Sequence, residues 1–409
     1  MKKDPKGRNL RPNEYVMADG RYRYRYTQNG ERKAVYSWKL VATDKVPQGK
    51  RDCISLRQKE KQIEKDLDDG IDVLQENITL NEMFDRYISL KTNLKQGTRS
   101  QYVFLYNAHI RNAIGLRKIK SIKYSDLKSF YNGLLKDKMN FNSLHNINAL
   151  LYPTFALAVR DNIIRNNVAT GIMKEMESTK PKKKRHALTV DEQRLFFEWL
   201  KADEKYNQWY NFLMFTLGTG CRIGEVLGLQ WENIDFEKKI ITIDHNFTYR
   251  TNEHGKAVWL TDTPKTESGT RKIPLFSVVE KALLDEKTKP HKAFSLNGYS
   301  NFVFLNCNDV IYQPTAVNNA IKQIYARANK AELENARNEG REPVTIRHFS
   351  AHNLRHTFCT RLCEVESNLR LIMDIMGHSD IKITMNIYNE IQDEKKQEAF
   401  EQLDGKIIL

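Results

Sequence analysis

Six polar side chains in the C-terminal half of the chain have types and spacings that suit chemistry on a phosphodiester. They are Arg222, Lys265, His352, Arg355, His378 and Tyr388. Two guanidiniums and an ammonium supply positive charge, two imidazoles can carry or donate protons, and one phenol can act as a nucleophile. Negative charge accumulates on the non-bridging oxygens of a phosphodiester under attack, so cations and donors around that phosphate stabilise the transition state.

The local sequence around these residues is specific. Arg222 follows Gly-Thr-Gly-Cys, in a predicted turn between two apolar helices, and Glu225 comes three residues later. In His-Asn-Leu-Arg-His, His352 and Arg355 are three residues apart, so they lie on one face of a helix. The alternatives are a surface arginine paired with Glu225 or Glu232 and histidines that only pack, because a histidine is more often structural than catalytic.

His378 follows Met-Gly in a predicted turn, and Tyr388 comes ten residues later. Lys265 lies in Thr-Pro-Lys-Thr-Glu-Ser-Gly between predicted strands at 257–261 and 271–275, which predicts a β-hairpin loop. A lysine in a turn is common and by itself is weak evidence for a catalytic role. The free phenol of tyrosine has a pKa near ~10, so a neighbouring base or cation must help to remove the proton of Tyr388.

The order and spacing of these motifs resemble those of the tyrosine recombinases (lambda-type integrases), and the full layout most resembles the integrases of conjugative transposons. The resemblance implies that Tyr388 is the nucleophile and that Arg222, Arg355 and His378 contact the scissile phosphate. It selects His352 over its neighbouring histidines and assigns to Lys265 the protonation of the departing 5′ oxygen.

The implied reaction is excision and integration of a mobile element through 3′-phosphotyrosine intermediates and a Holliday junction, with no cofactor and no metal. The implied partners are double-stranded DNA at the element-end and target attachment sites, further copies of the chain as a dimer or synaptic tetramer, an excisionase and a host DNA-bending protein.

The elements that must position these residues fall into successive segments, and the predicted fold class is multidomain and mainly α. Residues 1–75 form a small three-stranded sheet plus a helix, because Arg-Tyr alternates with period two ahead of an Asn-Gly turn. The alternation places Arg21, Arg23 and Arg25 on one face, which predicts a basic sheet for a DNA groove. The alternative is that these arginines only solubilise the sheet. By the resemblance, this unit is the arm-site DNA-binding domain.

Residues 76–172 form a helical bundle that opens with a Thr-x-x-Glu capping box, and the resemblance makes it the core-binding domain. Residues 173–186 form a polar linker that we interpret as a strap crossing the DNA backbone, with a nuclear-localisation signal as the alternative. Its basic residues are Lys182, Lys183, Lys184 and Arg185. Residues 187–395 form the mixed α+β catalytic domain. Residues 396–409 form a tail that, by the resemblance, can dock on a neighbouring copy, with folding against its own domain as the alternative.

The bulk composition agrees with a nucleic-acid partner. The chain has 66 Lys and Arg against 51 Asp and Glu, a net charge of +15, and the excess is pronounced in residues 1–50. Five scattered cysteines predict reduced thiols rather than a disulfide framework. We find neither an apolar run of ~20 residues nor an apolar signal-peptide region, so we expect no membrane partner and a cytoplasmic, bacterial protein that associates with the nucleoid when active.

Three alternatives share parts of this pattern. A type IB topoisomerase uses the same phosphoryl transfer but does not exchange DNA partners. A chromosome-dimer resolvase of the same family would lack residues 1–75. A DNA-binding regulator that has lost catalysis would not need all six polar residues.

Overall fold

The chain is described by a computed structural model in two compact units, Met1–Pro181 and Lys182–Leu409. The structure describes residues 2–28, 30–68, 77–94, 96–176, 186–252, 255–262, 270–389 and 391. Each of the two units has its own hydrophobic core. The predicted tail docking and the basic residues Lys182, Lys183, Lys184 and Arg185 lie outside the described residues.

The N-terminal part of the first unit is an antiparallel sheet in the order β1-β2-β3, followed by a helix. The strands are β1 (Glu14–Val16), β2 (Tyr22–Gln28) and β3 (Glu31–Ser37), and the helix is α1 (Leu56–Asp68). Tyr22 and Tyr24 are buried against Leu56 and Ile63 of α1, as the Arg-Tyr alternation predicts. The arginines of β2 therefore lie on the opposite face of the sheet.

The rest of the first unit is helical. Its helices are α2 (Leu80–Leu90), α3 (Gln96–His109), α4 (Tyr124–Lys136), α5 (Phe141–Arg160) and α6 (Ile172–Glu175), with 3₁₀ turns at Ile114–Leu116 and Ile119–Ser121. The predicted capping box is present, because the Thr79 hydroxyl accepts from the Glu82 amide and the Glu82 carboxylate accepts from the Thr79 amide. The core includes the stacked rings of Phe84 and Tyr106, whose centroids are 3.6 Å apart.

The second unit is mixed α+β. Its helices are α7 (Val190–Ala202), α8 (Tyr210–Thr219), α9 (Ile223–Gly228), α10 (Ser277–Lys287), α11 (Pro314–Glu339), α12 (Ala351–Val365) and α13 (Leu369–Met376), with 3₁₀ turns at Asn207–Trp209 and Trp231–Asn233. Helical backbone continues over residues 381–389. Helix α8 is apolar nearly all round, and seven of its residues are buried in the core.

The described residues of the second unit also include seven short strands. They are β4 (Ile234–Asp235), β5 (Ile240–Ile243), β6 (Asn246–Thr251), β7 (Ala257–Asp262), β8 (Arg271–Pro274), β9 (Ser295–Leu296) and β10 (Tyr299–Ser300). Strand β8 pairs with β5 in the sheet β4-β5-β8, whereas β7 pairs with β6. The predicted hairpin between 257–261 and 271–275 is therefore wrong, because these two strands belong to different sheets and β6 takes the place of β8 beside β7.

These elements confirm the predicted fold class of a small β-sheet unit, a helical bundle and an α+β unit that is mainly helical. None of the helices in the described ranges is long and apolar enough to cross a membrane.

Candidate active site

The first arginine is placed by a sharp turn between α8 and α9. Gly220 ends α8 with φ +61, and a Cβ at this position would lie 2.4 Å from a ring carbon of Phe358. The turn therefore requires glycine for both its backbone conformation and its close packing. Arg222 follows as the N-cap residue of α9, and its amide donates to the Glu225 carboxylate at 2.8 Å. The guanidinium remains partly exposed, with Nη1 2.8 Å from Glu225 Oε1.

The second arginine is buried. Arg355 lies on α12 with 4% of its surface exposed, and its Nη1 donates to the carbonyl of Gly220 at 2.7 Å. Burial and the nearby charge of Arg222 lower its pKa to about 10, so the guanidinium stays charged at neutral pH. His352, one turn earlier on α12, is exposed.

A third arginine, Arg271, also lies at this site, although we did not predict it from the sequence. Arg271 on β8 is buried and makes a two-pronged ion pair with Glu225, with Nη1–Oε1 3.1 Å and Nη2–Oε2 2.7 Å. Burial opposes ionisation of Glu225, but the hydrogen bond from Arg271 and the charges of Arg271, Arg222 and Arg355 outweigh it and lower the pKa of Glu225 to about 2. One carboxylate therefore neutralises part of a three-arginine cluster.

Three consecutive carbonyls at the end of α13 accept hydrogen bonds from the three arginines. Arg271 Nε donates to Ile375 O at 2.9 Å, Arg355 Nη2 to Met376 O at 2.5 Å and Arg222 Nη2 to Gly377 O at 2.8 Å. These carbonyls have no partners within the helix, and the helix C-terminus carries partial negative charge, so cations are favoured there.

The same turn leads directly into the predicted histidine. Gly377 has φ +63, and a Cβ there would lie 3.1 Å from Arg271 Nη1, so glycine permits both the turn and the close approach of the guanidinium. His378 is buried, and its Nδ1 lies 2.9 Å from Thr384 Oγ1. Burial, followed by the charges of Arg355 and Arg222, lowers the pKa of His378 to about 3, so the ring is neutral near pH 7.

Tyr388 lies in the helical stretch 381–389 that follows this turn. Its ring is half-buried and packs against a cluster that includes Cys359 and Cys363 of α12 and Ile372 and Met376 of α13. The helices that carry Arg355 and the three carbonyls therefore also position the tyrosine.

The structure brings three of the six predicted residues together. Arg222 and Arg355 meet at the end of α13 beside His378, whereas His352 lies exposed on α12, one turn before Arg355. Tyr388 is held by apolar contacts to the same two helices. Lys265 lies outside the described residues.

Sequence reasoning missed Arg271 as part of the site, treated Glu225 only as a surface partner of Arg222, and did not consider Thr384. Glu225 had a signal in its position as the third residue after an N-cap. Arg271 is 46 residues from Glu225 along the chain, and Thr384 reaches His378 through a turn, so no local pattern identifies either contact.

In the first unit, the predicted basic sheet face carries aromatic rings among its arginines. Arg23 and Tyr15 are cross-strand partners, and the guanidiniums of Arg23 and Arg25 lie 5.0 and 5.1 Å from the centre of the Tyr15 ring. Arg21 lies 5.2 Å from the Tyr36 ring and also pairs with Asp19. The guanidiniums of Arg23 and Arg25 therefore make cation–π contacts with the same ring on this face.

Family models match three successive parts of the chain. The DNA binding domain of tn916 integrase matches residues 1–67, the phage integrase N-terminal SAM-like domain matches residues 79–135, and the phage integrase family matches residues 186–395. The transposase from transposon Tn916 of Enterococcus faecalis is 34% identical over 394 residues, which is 95% of this chain and 93% of that protein. The transposase from transposon Tn1545 of Streptococcus pneumoniae matches with the same identity and coverage.

Solved structures show the same relationship. The Tn1549 transposon integrase in complex with a circular intermediate DNA is 27% identical with a TM-score of 0.67, covering 78% of this chain and 99% of that one. A second structure of that integrase, with transposon right end DNA, has the same identity and TM-score and covers 79% of this chain and 100% of that one. A lambda integrase dimer bound to a core site shares the fold at 15% identity and a TM-score of 0.54, covering 93% of this chain and 95% of that one.

The buried ion pair generates a prediction for stability. Replacing Arg271 by Ala leaves the Glu225 carboxylate buried without its bidentate partner, so we expect the free energy of unfolding of the second unit to fall by about 3–5 kcal/mol. Arg370→Ala is the control, because the Arg370–Asp374 pair is exposed and should contribute about 0.5 kcal/mol or less. Chemical denaturation measures both, and equal losses of stability for the two variants would contradict the role of Arg271 as the buried partner of Glu225.

The neutral state of His378 generates a second prediction. Its pKa is about 3 in the folded chain against 6.5 for a free histidine, so between these values the unfolded chain binds a proton that the folded chain does not. Stability should therefore fall as the pH drops below about 6.5, with a contribution from this group approaching ~1.4 kcal/mol per pH unit.

Replacing His378 by Gln should flatten the stability profile of the second unit between about pH 6.5 and 4.5, above the range in which ordinary carboxylates titrate. Replacing the exposed His145 of the first unit should leave this profile unchanged. A His378→Gln profile as steep as that of the unmodified chain would show that His378 takes up its proton in the folded state.

Proposed function

Because this chain belongs to the phage integrase family of tyrosine recombinases, we propose that Tyr388 cleaves DNA by attacking a phosphodiester held by Arg222, Arg355 and His378. The chain is an integrase of the conjugative-transposon type, a DNA strand-exchange enzyme that performs site-specific excision and integration. The four side chains divide the work of that reaction into nucleophilic attack and stabilisation of the phosphate.

The observation that carries the proposal is the convergence of three side chains on one turn. Arg222 and Arg355 donate to the carbonyls of Gly377 and Met376, and His378 is the next residue along the chain. Guanidiniums already held in place by backbone carbonyls and Glu225 lose little freedom when a phosphate arrives, which is the preorganisation that transition-state stabilisation requires.

The first step forms one bond and breaks another. The Tyr388 oxygen attacks phosphorus, the bond from phosphorus to the 5′ oxygen breaks, and a 3′-phosphotyrosine and a free 5′-hydroxyl result. In the reverse reaction, a 5′-hydroxyl from the partner duplex attacks the same phosphorus and expels Tyr388. One ester replaces another at each step, so the exchange needs no energy source.

Charge and protons are distributed among the remaining residues. Arg222 and Arg355 bind the non-bridging oxygens, which carry the developing negative charge. His378 is neutral and donates a hydrogen bond from its ring. We assign to Lys265 the proton delivered to the departing 5′ oxygen, and to His352 the removal of the phenolic proton of Tyr388.

The DNA partners follow from the same family membership. We propose that the chain binds element-end and target attachment sites, acts as a dimer and then a synaptic tetramer, and passes through a Holliday junction. We propose that an excisionase and a host DNA-bending protein assist, and that the reaction takes place on the nucleoid in the bacterial cytoplasm. Within the assembly, the tail at 396–409 docks on a neighbouring copy and the basic linker crosses the DNA backbone. Solved complexes of the Tn1549 integrase with transposon-end and circular-intermediate DNA support this choice of substrates.

We propose that the sheet face of the first unit contacts the arm sites. Arg23 and Arg25 are held across β2 by the Tyr15 ring, and Arg21 lies on the same face. Guanidiniums on one face of a strand can reach base edges and phosphates in a DNA groove. The match of residues 1–67 to the DNA binding domain of tn916 integrase supports this role.

A suicide substrate tests the nucleophile. On a duplex with a nick next to the cleavage site, the cleaved fragment diffuses away and the covalent protein–DNA product accumulates. Replacing Tyr388 by Phe removes the attacking oxygen, so covalent capture should fall by on the order of 10⁴-fold or more. Gel mobility of labelled DNA under denaturing conditions measures the product.

Tyr206→Phe is the matched control for this experiment, because Tyr206 lies in the same unit and packs beside Trp199. Covalent product from the Tyr388→Phe variant, mapped to another tyrosine, would overturn the assignment. Joining of the captured strand to a second duplex separates strand exchange from relaxation by a topoisomerase.

The sheet face of the first unit generates a prediction that does not depend on the catalytic residues. Replacing Arg23 and Arg25 together by Ala should weaken binding to arm-site DNA by about 1–3 kcal/mol for each guanidinium that contacts a base. For each guanidinium that binds a phosphate instead, the slope of log binding constant against log salt concentration should fall in magnitude by about one. Covalent capture on the core suicide substrate should not change. Lys61→Ala, on the exposed side of α1, is the control, and an equally weakened arm affinity for that variant would contradict a specific sheet face.

A further inference from the structure

The hydroxyl of Thr384 contacts the site from the helix that carries Tyr388. Thr384 is fully buried, and its Oγ1 lies 2.9 Å from His378 Nδ1. It precedes Tyr388 by four residues in the helical stretch 381–389, so the two side chains lie on one face of that helix, one turn apart. This hydrogen bond therefore links the imidazole to the element that bears the nucleophile.

The direction of this hydrogen bond follows from comparison with other buried threonines. Four of them donate their hydroxyl proton to the carbonyl four residues earlier in their own helix: Thr154, Thr216, Thr219 and Thr357. Within the described residues Thr384 makes no such bond, and its described partner is His378 Nδ1. The hydroxyl proton can therefore point at the ring nitrogen.

The direction of donation fixes the state of the ring. A neutral imidazole has one nitrogen that donates and one that accepts. If Nδ1 accepts from Thr384, the ring proton lies on Nε2, and Nε2–H becomes the group that can donate to a phosphoryl oxygen. In the opposite tautomer, Nε2 would present a lone pair to an anion, and the interaction would change from attraction to repulsion.

We propose that Thr384 is a positioning residue that fixes His378 as the Nε2–H tautomer and holds this donor in register with the Tyr388 helix. The inference rests on the proposed function, because it assigns His378 to the scissile phosphate. Thr384 touches neither phosphate nor DNA in this role and acts through the imidazole.

Two substitutions separate this role from simple packing. Thr384→Val keeps the shape of the side chain and removes the hydroxyl, whereas Thr384→Ser keeps the hydroxyl and removes a methyl group. Thr216→Val is the matched control, because Thr216 is equally buried in the same unit but its hydroxyl is bonded to the carbonyl of Phe212.

The rate of phosphotyrosine formation is measured in a single turnover on the nicked duplex, with the full-length chain in excess over DNA. Thr384→Val should slow this rate by about 10- to 100-fold, with DNA affinity within about 2-fold, because the Nε2–H donor of His378 is no longer fixed toward the phosphate in the transition state. Thr384→Ser and Thr216→Val should remain within about 3-fold of the unmodified chain. The proposal would be overturned if the Thr384→Val variant formed phosphotyrosine at the normal rate, or if the Thr384→Ser variant were as slow as the Thr384→Val variant.

A double-mutant cycle tests whether Thr384 acts through the imidazole. In a His378→Ala background, Thr384→Val should cause little further reduction in rate, because the ring that it orients is already absent. Additive reductions would show that Thr384 acts by another route and would reject the proposal. Nitrogen NMR of the histidines, assigned with His378→Ala, gives a direct readout, and a proton on Nδ1 of His378 would also reject it.

The outcomes distinguish this inference from the proposed function. If Tyr388→Phe abolishes covalent capture while Thr384→Val cleaves at the normal rate, the function stands and the positioning role fails. If Tyr388→Phe still forms the covalent product, the proposed function itself fails.

Discussion

The site depends on the contact between three arginines and three successive backbone carbonyls. Arg271, Arg355 and Arg222 would repel one another if they were brought together in a dry interior without compensation. The carbonyls at the end of α13, which have no partners within the helix, and the Glu225 carboxylate supply the negative charge that allows the three arginines to converge. The end of one eight-residue helix therefore sets the geometry of the proposed phosphate site, and Gly377 is the residue that lets the chain leave that helix at the required angle.

The same contact explains why distant segments of the chain must fold together before the site exists. Arg222 comes from the turn after α8, Arg271 from a sheet strand and Arg355 from α12, and all three meet the turn before His378. Because the two arginines proposed to bind phosphate are already hydrogen-bonded at fixed positions, substrate binding needs little rearrangement of their side chains. Burial of Arg355 and Glu225 also excludes the water that would otherwise weaken these interactions.

Much of the fold and part of the site follow from local sequence rules. The alternation around Tyr22 and Tyr24 predicted the sheet and its buried face correctly, because strand geometry has a period of two. Helix periodicity predicted that His352 and Arg355 lie one turn apart on the same helix, but it did not predict that the helix buries Arg355 and leaves His352 exposed. The predicted hairpin between β7 and β8 was wrong because strand pairing depends on residues that are far apart in the sequence, and β7 pairs with β6 instead. Arg271 was missed for the same reason, since only the folded sheet brings it to Glu225.

The division of β7 and β8 between two sheets has a consequence for how this protein can vary. Strand β8 is held by β5, and Arg271 is fixed at its first position regardless of what precedes it. The sequence of β7 can therefore change without shifting Arg271, because the register of β8 in its sheet is set by β5. The contact of Arg271 with Glu225 is in this way independent of the strand that precedes it along the chain.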